Sequence, residues 1–396
     1  MNAAPLIERG VAGLRPLPLA RPPAVVAIGM GWFGEEPGGL NRMYAGLWRG
    51  LAERGARLRG FVAGDRGAAH GAPAGITFFA KRDEGVLTRL VACRRAVARA
   101  LREEQADVVA AHFAPYALPV LDLARDRNFV FHFHGPWAEE SVLERQRGLR
   151  VRAKRSIESR VYRRARRFIV LSRAFADVLG ETYGVADDRI RIVPGGVDAA
   201  RFGGGPTRRA ARLALGVATG RPIVGVVRRL VRRVGLENLV EAFATVRARV
   251  PDALLLVGGA GPLAAELSRR VAERGLAEHV TLMGFVADDR LPVFYRACDL
   301  TIVPSVALEG FGLTTIESLA AGTPVLVTPV GGLPETVRGL DAGLVLRDAS
   351  PESIATALID ALTGARALPT PERCAEYARA QFDWPVIADK VLAAYA

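Results

Sequence analysis

Short apolar runs alternate with amphipathic stretches along the whole chain. The first run, residues 23–33, reads PAVVAIGMGWF and ends in the glycine-rich turn 34–43. Met43, Leu47 and Leu51 then recur every four residues, which is the spacing of an amphipathic helix. Because apolar runs separated by helical stretches are typical of βα units, this order predicts parallel, doubly wound sheets and an α/β fold.

The strand-like runs form two series, one on each side of the glycine-rich segment FGGGPTRRA at 202–210, a candidate linker. The first series comprises 23–33, 57–64, 107–113, 129–135, 167–172 and 189–196; the second comprises 222–229, 253–259, 280–285, 300–305, 323–329 and 343–347. We therefore expect a poorly structured lead-in at 1–22 and two Rossmann-like domains, at 23–202 and 203–380. Ligands of such sheets bind at the carboxyl ends of the strands.

The chain is basic, with 54 lysine and arginine residues against 41 acidic residues and a formal net charge of +13. Its three cysteines form no C-x-x-C pair, so neither a zinc site nor a disulfide framework is expected. No apolar run approaches the length that spans a bilayer, and the N-terminus does not read as a secretory signal. These features predict a cytoplasmic location. Only three lysines occur and none lies in a glycine-rich loop, which excludes a lysine-containing phosphate loop.

The segment 303–335 is the richest in candidate chemistry. A strand is expected to end at Ser305, and a helix to run from about Leu313 to Ala321. Gly310 and Gly312 allow the backbone to approach a ligand closely, and the N–H groups of Gly312, Leu313 and Thr314 open the helix. Free N–H groups at a helix N-terminus form an anion site, so this turn can bind a phosphate without a lysine.

Two carboxylates accompany this turn. Glu317, within the first two turns of the helix, can accept two hydrogen bonds from a vicinal diol such as that of ribose. Glu309, in the loop, can reach a sugar hydroxyl. From these residues alone a second interpretation stays open, in which the segment is a glycine-rich loop and an acidic residue that complements the helix macrodipole.

Glu309 and Glu317 form E-x7-E, and the segment around them resembles family 4 of the retaining glycosyltransferases, which have the two-domain GT-B fold. Five further segments, together spread over nearly the whole chain, resemble the family in the expected order: PGGLNRM at 37–43, HFHGPW at 132–137, RIVPGGVDAARF at 191–202, VRRLVRRVGLENLVEAF at 227–243 and LLLVGGAGPLAAEL at 254–267. The stretch 280–305 is similar to the family's base-binding strand and the helix after it.

The resemblance implies that the two domains face a central cleft and that the second holds most of the donor. It also implies that the C-terminal helix, 381–396, returns to the first domain. The implied activity is retaining transfer of a hexosyl group from a nucleoside-diphosphate sugar, without a cofactor. No D-x-D triplet occurs, so a metal is not expected. The acceptor is left open among cell-surface glycans, lipid-linked acceptors and small natural products.

The resemblance also assigns roles to individual positions. Glu309, His134 and Arg229 are the expected catalytic residues, with Arg229 neutralising the diphosphate. Donor binding is expected of Gly39, Arg229, Gly284, Phe285, Glu309, Gly310, Phe311, Gly312, Leu313, Thr314 and Glu317. Candidate acceptor residues are His112, His134 and Trp137. His112 and Trp137 could equally serve in packing. His132 is expected to point to the opposite face of its strand from His134 and to be structural.

Two positions depart from the family's pattern. Val234 stands where the family usually has lysine, and a cation there would stabilise charge on the leaving diphosphate. Arg232 or Arg233, from the same loop, are candidate substitutes. Gly195 replaces the usual asparagine of the hinge segment.

The stretch from Arg145 to Arg167 carries eleven basic residues and a single acid, Glu158. Ala153, Ile157, Val161 and Ala165 recur every four residues, which indicates a helix with one apolar stripe. The stretch is either a solvated arginine-rich helix or a surface for an anionic membrane or a phosphorylated acceptor. Nucleic acid is not expected, because no recognisable module accompanies the arginines.

Two alternatives to a transferase follow from the same features. A GT-B sugar-nucleotide epimerase would use the same cleft without an acceptor. A non-catalytic protein that binds a nucleotide sugar or a polyanion would account for Val234 and for the arginine run.

Overall fold

The computed structural model describes residues 21–65, 71–144 and 146–396, and these form two compact units. Unit 1 takes the chain up to Gly196 and then Trp384–Ala396, and unit 2 is Val197–Asp383. The expected lead-in, 1–22, lies outside the described residues except for Arg21 and Pro22. The chain leaves unit 1 a few residues earlier than the boundary expected at 202/203, so the candidate linker 202–210 lies inside unit 2.

Unit 1 contains a seven-stranded sheet in the order β3-β2-β1-β4-β5-β6-β7, and every neighbouring pair is parallel. The strands are β1 Ala24–Gly31, β2 Arg57–Ala63, β3 Ile76–Ala80, β4 Val108–Ala111, β5 Asn128–Phe133, β6 Arg167–Val170 and β7 Ile190–Ile192. The helices are α1 Gly39–Glu53, α2 Val86–Glu103, α3 Ala114–Ala117, α4 Trp137–Leu143, α5 Leu149–Arg164 and α6 Arg173–Tyr183.

Unit 2 contains a five-stranded parallel sheet in the order β10-β9-β8-β11-β12. Its strands are β8 Ile223–Val227, β9 Leu254–Gly258, β10 Val280–Gly284, β11 Leu300–Val303 and β12 Val325–Val327. Its helices are α7 Ala199–Gly203, α8 Arg208–Ala214, α9 Leu236–Arg249, α10 Ala264–Glu273, α11 Leu291–Ala297, α12 Leu313–Ala320, α13 Leu333–Val337, α14 Pro351–Thr363 and α15 Pro371–Phe382. Helix α16, Trp384–Tyr395, belongs to unit 1. The α/β class with two doubly wound parallel sheets is confirmed.

Two local expectations are wrong. The run 343–347 is not a strand, because Asp341 accepts the Gly343 N–H at 2.7 Å and starts a 3-10 turn, which leaves a single bridge between Val345 and Val327. Strand β3 was not expected from the pattern at all. In addition, the apolar stripe of α5 is not the expected one, since Ala153 is exposed.

The buried positions of α5 are Val151, Glu158, Val161 and Tyr162. Steps of four residues drift by about 40° around a helix with 3.6 residues per turn. Ala153 therefore lies well away from the face that Val161 buries.

Each face of the unit 1 sheet has its own core. Helices α2, α3, α5 and α6 cover one face, where Cys93, Val161 and Phe175 are buried. Helices α1 and α16 cover the other, where Tyr44 and Ile387 are buried. Because side chains alternate along a strand, the same strands supply both cores. Among the described residues, no helix combines the length and the apolar character needed to cross a bilayer.

Helix α16 packs against α1 and against the segment after β7, at one glycine in each. A Cβ atom at Gly46 would lie 2.0 Å from Cζ2 of Trp384, and one at Gly196 would lie 2.4 Å from its Cε3. Arg54 of α1 also pairs with Asp389 of α16 at 2.6 Å. The indole therefore occupies space that only glycine leaves free.

We expect Gly46→Ala to lower the free energy of unfolding by about 1–3 kcal/mol, because the new methyl group overpacks the contact with Trp384. Gly180→Ala is the matched control, since its Cβ in α6 would meet only the Val185 carbonyl oxygen at 3.7 Å. That change should raise stability by about 0.5–1 kcal/mol. Urea unfolding followed by tryptophan fluorescence measures both, and equal effects of the two substitutions would contradict the packing argument.

Candidate functional site

In unit 2, the start of α12 has the geometry of an anion site. Gly312 adopts φ of +80°, and a Cβ there would lie 2.4 Å from Cδ2 of Leu333, so glycine is required. The helix begins at Leu313, and the hydroxyl oxygens of Thr314 and Thr315 are buried without a hydrogen-bond partner among the described residues. The first turn of α12 thus offers N–H groups and two hydroxyls.

The residues before this helix are packed tightly. Gly310 is buried, and the ring of Phe311 is 3% exposed and meets Phe382 edge-on at 5.7 Å between centroids. Phe311 is therefore anchored in the interior of unit 2. Its backbone position, which the resemblance assigned to donor binding, is fixed by that packing.

Glu317 is a buried carboxylate on α12, with 3% exposure. The Tyr295 hydroxyl of α11 donates to its Oε2 at 2.9 Å. Tyr295 itself is buried, so the carboxylate is held in one orientation. This is the geometry required of a group that must accept hydrogen bonds from a diol.

Glu309 is buried and paired with Arg228, whose Nη2 donates to Oε2. Ser305 donates to the same oxygen at 2.9 Å, and Arg233 donates to the neighbouring Leu308 carbonyl at 3.1 Å. Burial by itself would raise the pKa of Glu309, but the positive charge of Arg228 and its hydrogen bond outweigh burial and hold the pKa below its usual range. Leu308 has φ of +43°, a strained conformation for a branched side chain.

The remaining donor candidates lie at the same carboxyl edge of this sheet. Arg229 follows β8 and is exposed. Gly284 ends β10 with φ of +68° and accepts from the Gly259 N–H at 2.6 Å. Phe285 leaves 62% of its surface exposed, which makes its ring available for stacking.

In the loop that contains Val234, a buried valine takes the place of the lysine that is usual in the family. Val234 is 1% exposed, and Arg232 pairs with Glu237 at 3.2 Å and Glu266 at 2.9 Å. Of the two proposed substitutes, only Arg233 reaches the loop that carries Glu309. Sequence reasoning missed Arg228, for which the signal was a pair of consecutive arginines directly after a buried strand.

In unit 1, three histidines stack at the carboxyl ends of β4 and β5. The ring centroids of His112 and His132 are 4.1 Å apart, and those of His112 and His134 are 5.2 Å apart. His112 Nδ1 and His134 Nε2 are 3.0 Å apart. The expectation that His132 and His134 point to opposite faces is wrong, because residues two apart on a strand share a face.

Two tyrosines complete this cluster. His132 Nε2 is hydrogen-bonded to the Tyr395 hydroxyl at 2.8 Å, so α16 reaches the stack. Tyr44 of α1 meets the His112 ring edge-on at 5.0 Å and donates to the Ala27 carbonyl. His134 Nδ1 is buried without a hydrogen-bond partner among the described residues. His112 and His134 are therefore linked directly, and His132 is bound on its other side by the last turn of the chain.

The other two unit 1 candidates lie at the starts of α1 and α4. Gly39 is exposed at the start of α1. Trp137 starts α4, meets Phe113 edge-on at 5.9 Å and lies 4.6 Å beneath the Lys154 ammonium. Trp137 thus already has partners on its ring. Among residues 21–65, 71–144 and 146–396, no group of three side chains could hold a metal ion.

Burial holds the pKa of His134 down to about 4, and burial together with the neighbouring imidazoles keeps the pKa values of His112 and His132 well below the usual range. An unfolded histidine takes up a proton near pH 6.5. Between about pH 6.5 and 4 the unfolded chain therefore binds more protons than the folded one, and stability falls as the pH falls.

We expect His132→Gln to flatten this decline in the free energy of unfolding between pH 6.5 and 4, because one of the protonating groups is removed. Each unit of pKa shift corresponds to about 1.4 kcal/mol. Urea unfolding at a series of pH values measures the slope. His279→Gln, which changes a histidine of unit 2, is the control, and an identical flattening in both variants would count against the stack as its source.

Two models of glycosyltransferase families match successive parts of the chain. The model described as Glycosyltransferase Family 4 matches residues 37–201, and the model described as Glycosyl transferases group 1 matches 207–381. The paired Rossmann-like units and the E-x7-E turn define a GT-B protein of the glycosyltransferase class. The chain belongs to glycosyltransferase family 4.

Curated relatives carry glycosyltransferase names. The chain is similar to the GDP-mannose-dependent alpha-(1-6)-phosphatidylinositol monomannoside mannosyltransferase of Mycobacterium tuberculosis, at 35% identity over 51% of this chain and 54% of the relative. It is also similar to the D-inositol 3-phosphate glycosyltransferase of Nocardia farcinica, at 40% identity over 48% of this chain and 43% of the relative. The chain thus spans about half the length of the curated relatives that it matches.

Solved structures share the fold over nearly the full length. Anabaena HepE in complex with UDP and glucose matches with a TM-score of 0.76 at 20% identity, over 93% of this chain and 98% of that one. Sucrose-phosphate synthase from Thermosynechococcus elongatus matches with a TM-score of 0.74 at 24% identity, over 93% and 97%. These likenesses confirm the GT-B fold.

Proposed function

We propose that this chain is a retaining glycosyltransferase that moves a hexosyl group from a nucleoside-diphosphate sugar to an acceptor hydroxyl. The observation that carries the proposal is the start of α12, where N–H groups, the buried Glu309 and the buried Glu317 lie within the first two turns of the helix and the loop before it. Family membership supports the same reaction class.

The donor would lie along the carboxyl edge of the unit 2 sheet. Glu317, oriented by Tyr295, accepts hydrogen bonds from the ribose diol. The N–H groups of Gly312, Leu313 and Thr314 bind the diphosphate, and Arg229 adds charge. Glu309 holds the sugar, and the backbone around Gly284 and Phe285 receives the base. Gly310 and Phe311 shape the turn between them.

In the reaction, the bond between the sugar's C1 and the β-phosphate oxygen breaks, and a bond from C1 to the acceptor oxygen forms on the same face. The acceptor's proton passes to the leaving phosphate, so the products are the glycoside and a nucleoside diphosphate. Hydrogen-bond donors fixed in a dry site stabilise the charge that develops on the leaving group. The protein supplies positioning and charge, and no metal or other cofactor is invoked.

On the unit 1 side, Gly39 is assigned to the donor phosphate, and His134 to the sugar and acceptor. His112, whose Nδ1 is 3.0 Å from Nε2 of His134, and Trp137, at the start of α4, are assigned to the acceptor. Support for a transferase over an epimerase or a non-catalytic binding protein comes from the names of the curated relatives, all of which are transferases.

Nucleotide binding tests the donor site. We expect one of UDP, GDP, dTDP or ADP to raise the unfolding midpoint by several degrees, since a ligand at 100 times its Kd adds about 2.7 kcal/mol. Glu317→Gln should weaken that nucleotide by about 10- to 100-fold, because a hydrogen bond to a charged group is lost.

The matched control is Glu273→Gln, which changes an exposed glutamate paired with Arg269 on α10. It should leave the midpoint shift intact. Absence of a shift with all four nucleotides, or an equal loss in both variants, would overturn the assignment of the ribose site to Glu317. Transfer itself is tested by release of the nucleoside diphosphate that depends on an added acceptor.

We further propose that the acceptor carries anionic groups and that α5 contacts an anionic membrane surface. The names of both curated relatives contain phosphate-bearing inositol acceptors. Within the basic run Arg145–Arg167, Arg145 lies outside the described residues. Glu158, the one acid, is turned inward and bonded to Tyr183 at 2.8 Å, so it does not offset the arginines on the surface.

Exposed apolar side chains accompany these arginines. Leu149 opens α5 with 80% of its surface exposed, and Val142 and Leu143 of α4 are 44% and 40% exposed. On the same face of the sheet, Leu87 of α2 is 79% exposed. Arginines mixed with exposed aliphatic side chains are typical of surfaces that lie in a bilayer interface.

Sedimentation with vesicles of phosphatidylglycerol and phosphatidylcholine measures this contact. We expect binding that weakens with salt, and that the triple change Arg147→Gln, Arg150→Gln and Arg152→Gln weakens it more than tenfold, at about 1 kcal/mol per arginine. The control removes the same charge from exposed positions of unit 2, Arg209, Arg247 and Arg249. Equal weakening in both triple variants would assign binding to net charge and not to α5.

A further inference from the structure

The two terminal nitrogens of the Arg228 guanidinium differ in their hydrogen bonding. Strand β8 ends at Val227, so Arg228 is the first residue beyond its carboxyl end. Its Nη2 pairs with Glu309, whereas its Nη1 is buried and has no hydrogen-bond partner among the described residues. Only 11% of the side chain is exposed. A buried donor without an acceptor is destabilising, so its retention calls for an acceptor other than the described residues.

The backbone holds this arginine in place. The Arg228 N–H donates to the Gly258 carbonyl at 2.9 Å. A Cβ at Gly259 would lie 1.8 Å from the Arg228 carbonyl oxygen, so the two backbones are in close contact. The partner loop is equally fixed, since the Glu309 carbonyl accepts from the Gly332 N–H at 2.9 Å. The two loops therefore fix the position from which the guanidinium extends.

Other unpartnered polar atoms lie in the helix that follows the Glu309 loop. The Oγ1 atoms of Thr314 and Thr315 are buried without partners among the described residues, and both belong to the first turn of α12. These two hydroxyls lie in the same helical turn as the N–H groups that open α12. A compact, multiply charged anion satisfies such a set of donors, as phosphate does at other helix starts.

We propose that Arg228 binds the diphosphate of the donor through Nη1 while Nη2 holds Glu309, and so supplies the cation that position 234 lacks. This inference rests on the proposed function. An arginine suits the task because its planar fork presents two separate donor edges, whereas a lysine presents one compact charge. Val234, 1% exposed, is then free to pack in the core.

A rival explanation is that Arg228 only neutralises Glu309. The two explanations differ in what happens when the carboxylate is also removed. If Arg228 only balances a buried charge, Arg228→Gln does harm by leaving Glu309 unpaired, and adding Glu309→Gln relieves it. If Arg228 binds the diphosphate, adding Glu309→Gln cannot restore the lost contact.

The test compares calorimetric affinities for a nucleoside diphosphate and the matching monophosphate, with the base that the wild-type protein binds in the four-nucleotide panel. We expect Arg228→Gln to weaken the diphosphate by about 10- to 100-fold and the monophosphate far less, since a hydrogen bond to a charged phosphate is lost. The double variant should show the same loss of preference. Arg232→Gln, from the same loop but paired with Glu237 and Glu266, is the control and should bind like the wild type.

Four results overturn the proposal. Equal weakening of both nucleotides in Arg228→Gln, or recovery of diphosphate preference in the double variant, would make Arg228 a structural partner only. Absence of nucleotide binding by the wild-type protein would instead overturn the donor site as a whole. Arg228→Lys guards against misfolding, because it keeps the charge but cannot serve two partners. Its preference for the diphosphate should fall, and an unchanged preference would also overturn the proposal.

Discussion

A buried negative charge at Glu309 is the constraint around which the functional end of unit 2 is organised. An isolated carboxylate in the interior is strongly disfavoured, so it persists only with compensating donors. Arg228 and Ser305 provide them, and Arg233 secures the strained backbone next to it. The glycine at 331 follows from the same need, since a Cβ there would lie 1.9 Å from the Glu309 carbonyl oxygen. The residue types at positions 228, 305 and 331 are thus restricted by one buried carboxylate.

Unit 1 also buries polar side chains at the carboxyl edge of its sheet, but it keeps them uncharged. Its three histidines are kept neutral, and stacking, one another's nitrogens and Tyr395 take the place of charged partners. Each unit therefore has a distinct electrostatic character at the carboxyl edge of its sheet. In the function proposed above, the edge of unit 2 binds an anion and the edge of unit 1 binds neutral hydroxyl groups, for which an uncharged imidazole can both donate and accept hydrogen bonds.

The sequence was most informative where local pattern and motif coincided. The alternation of strands and helices, the start of α12 and the E-x7-E spacing all depend on neighbouring residues, and the structure has them at the expected positions. The pairing of Arg228 with Glu309 could not be recognised, because it joins residues 81 positions apart. The error over His132 and His134 was one of strand periodicity. Ala153 was misplaced because a four-residue spacing drifts around a helix.

Unit 1 consists of two chain segments separated by unit 2, and this affects the order in which the two units can fold. Its sheet is synthesised before unit 2, but α16, which covers one face of that sheet and bonds to His132, leaves the ribosome only after the whole of unit 2. Unit 2, a continuous segment between Val197 and Asp383, has all its residues earlier. Domains generally fold as units during translation. The unit that begins before unit 2 is therefore completed after it, and until then its apolar surface beside α1 lacks the cover that α16 provides.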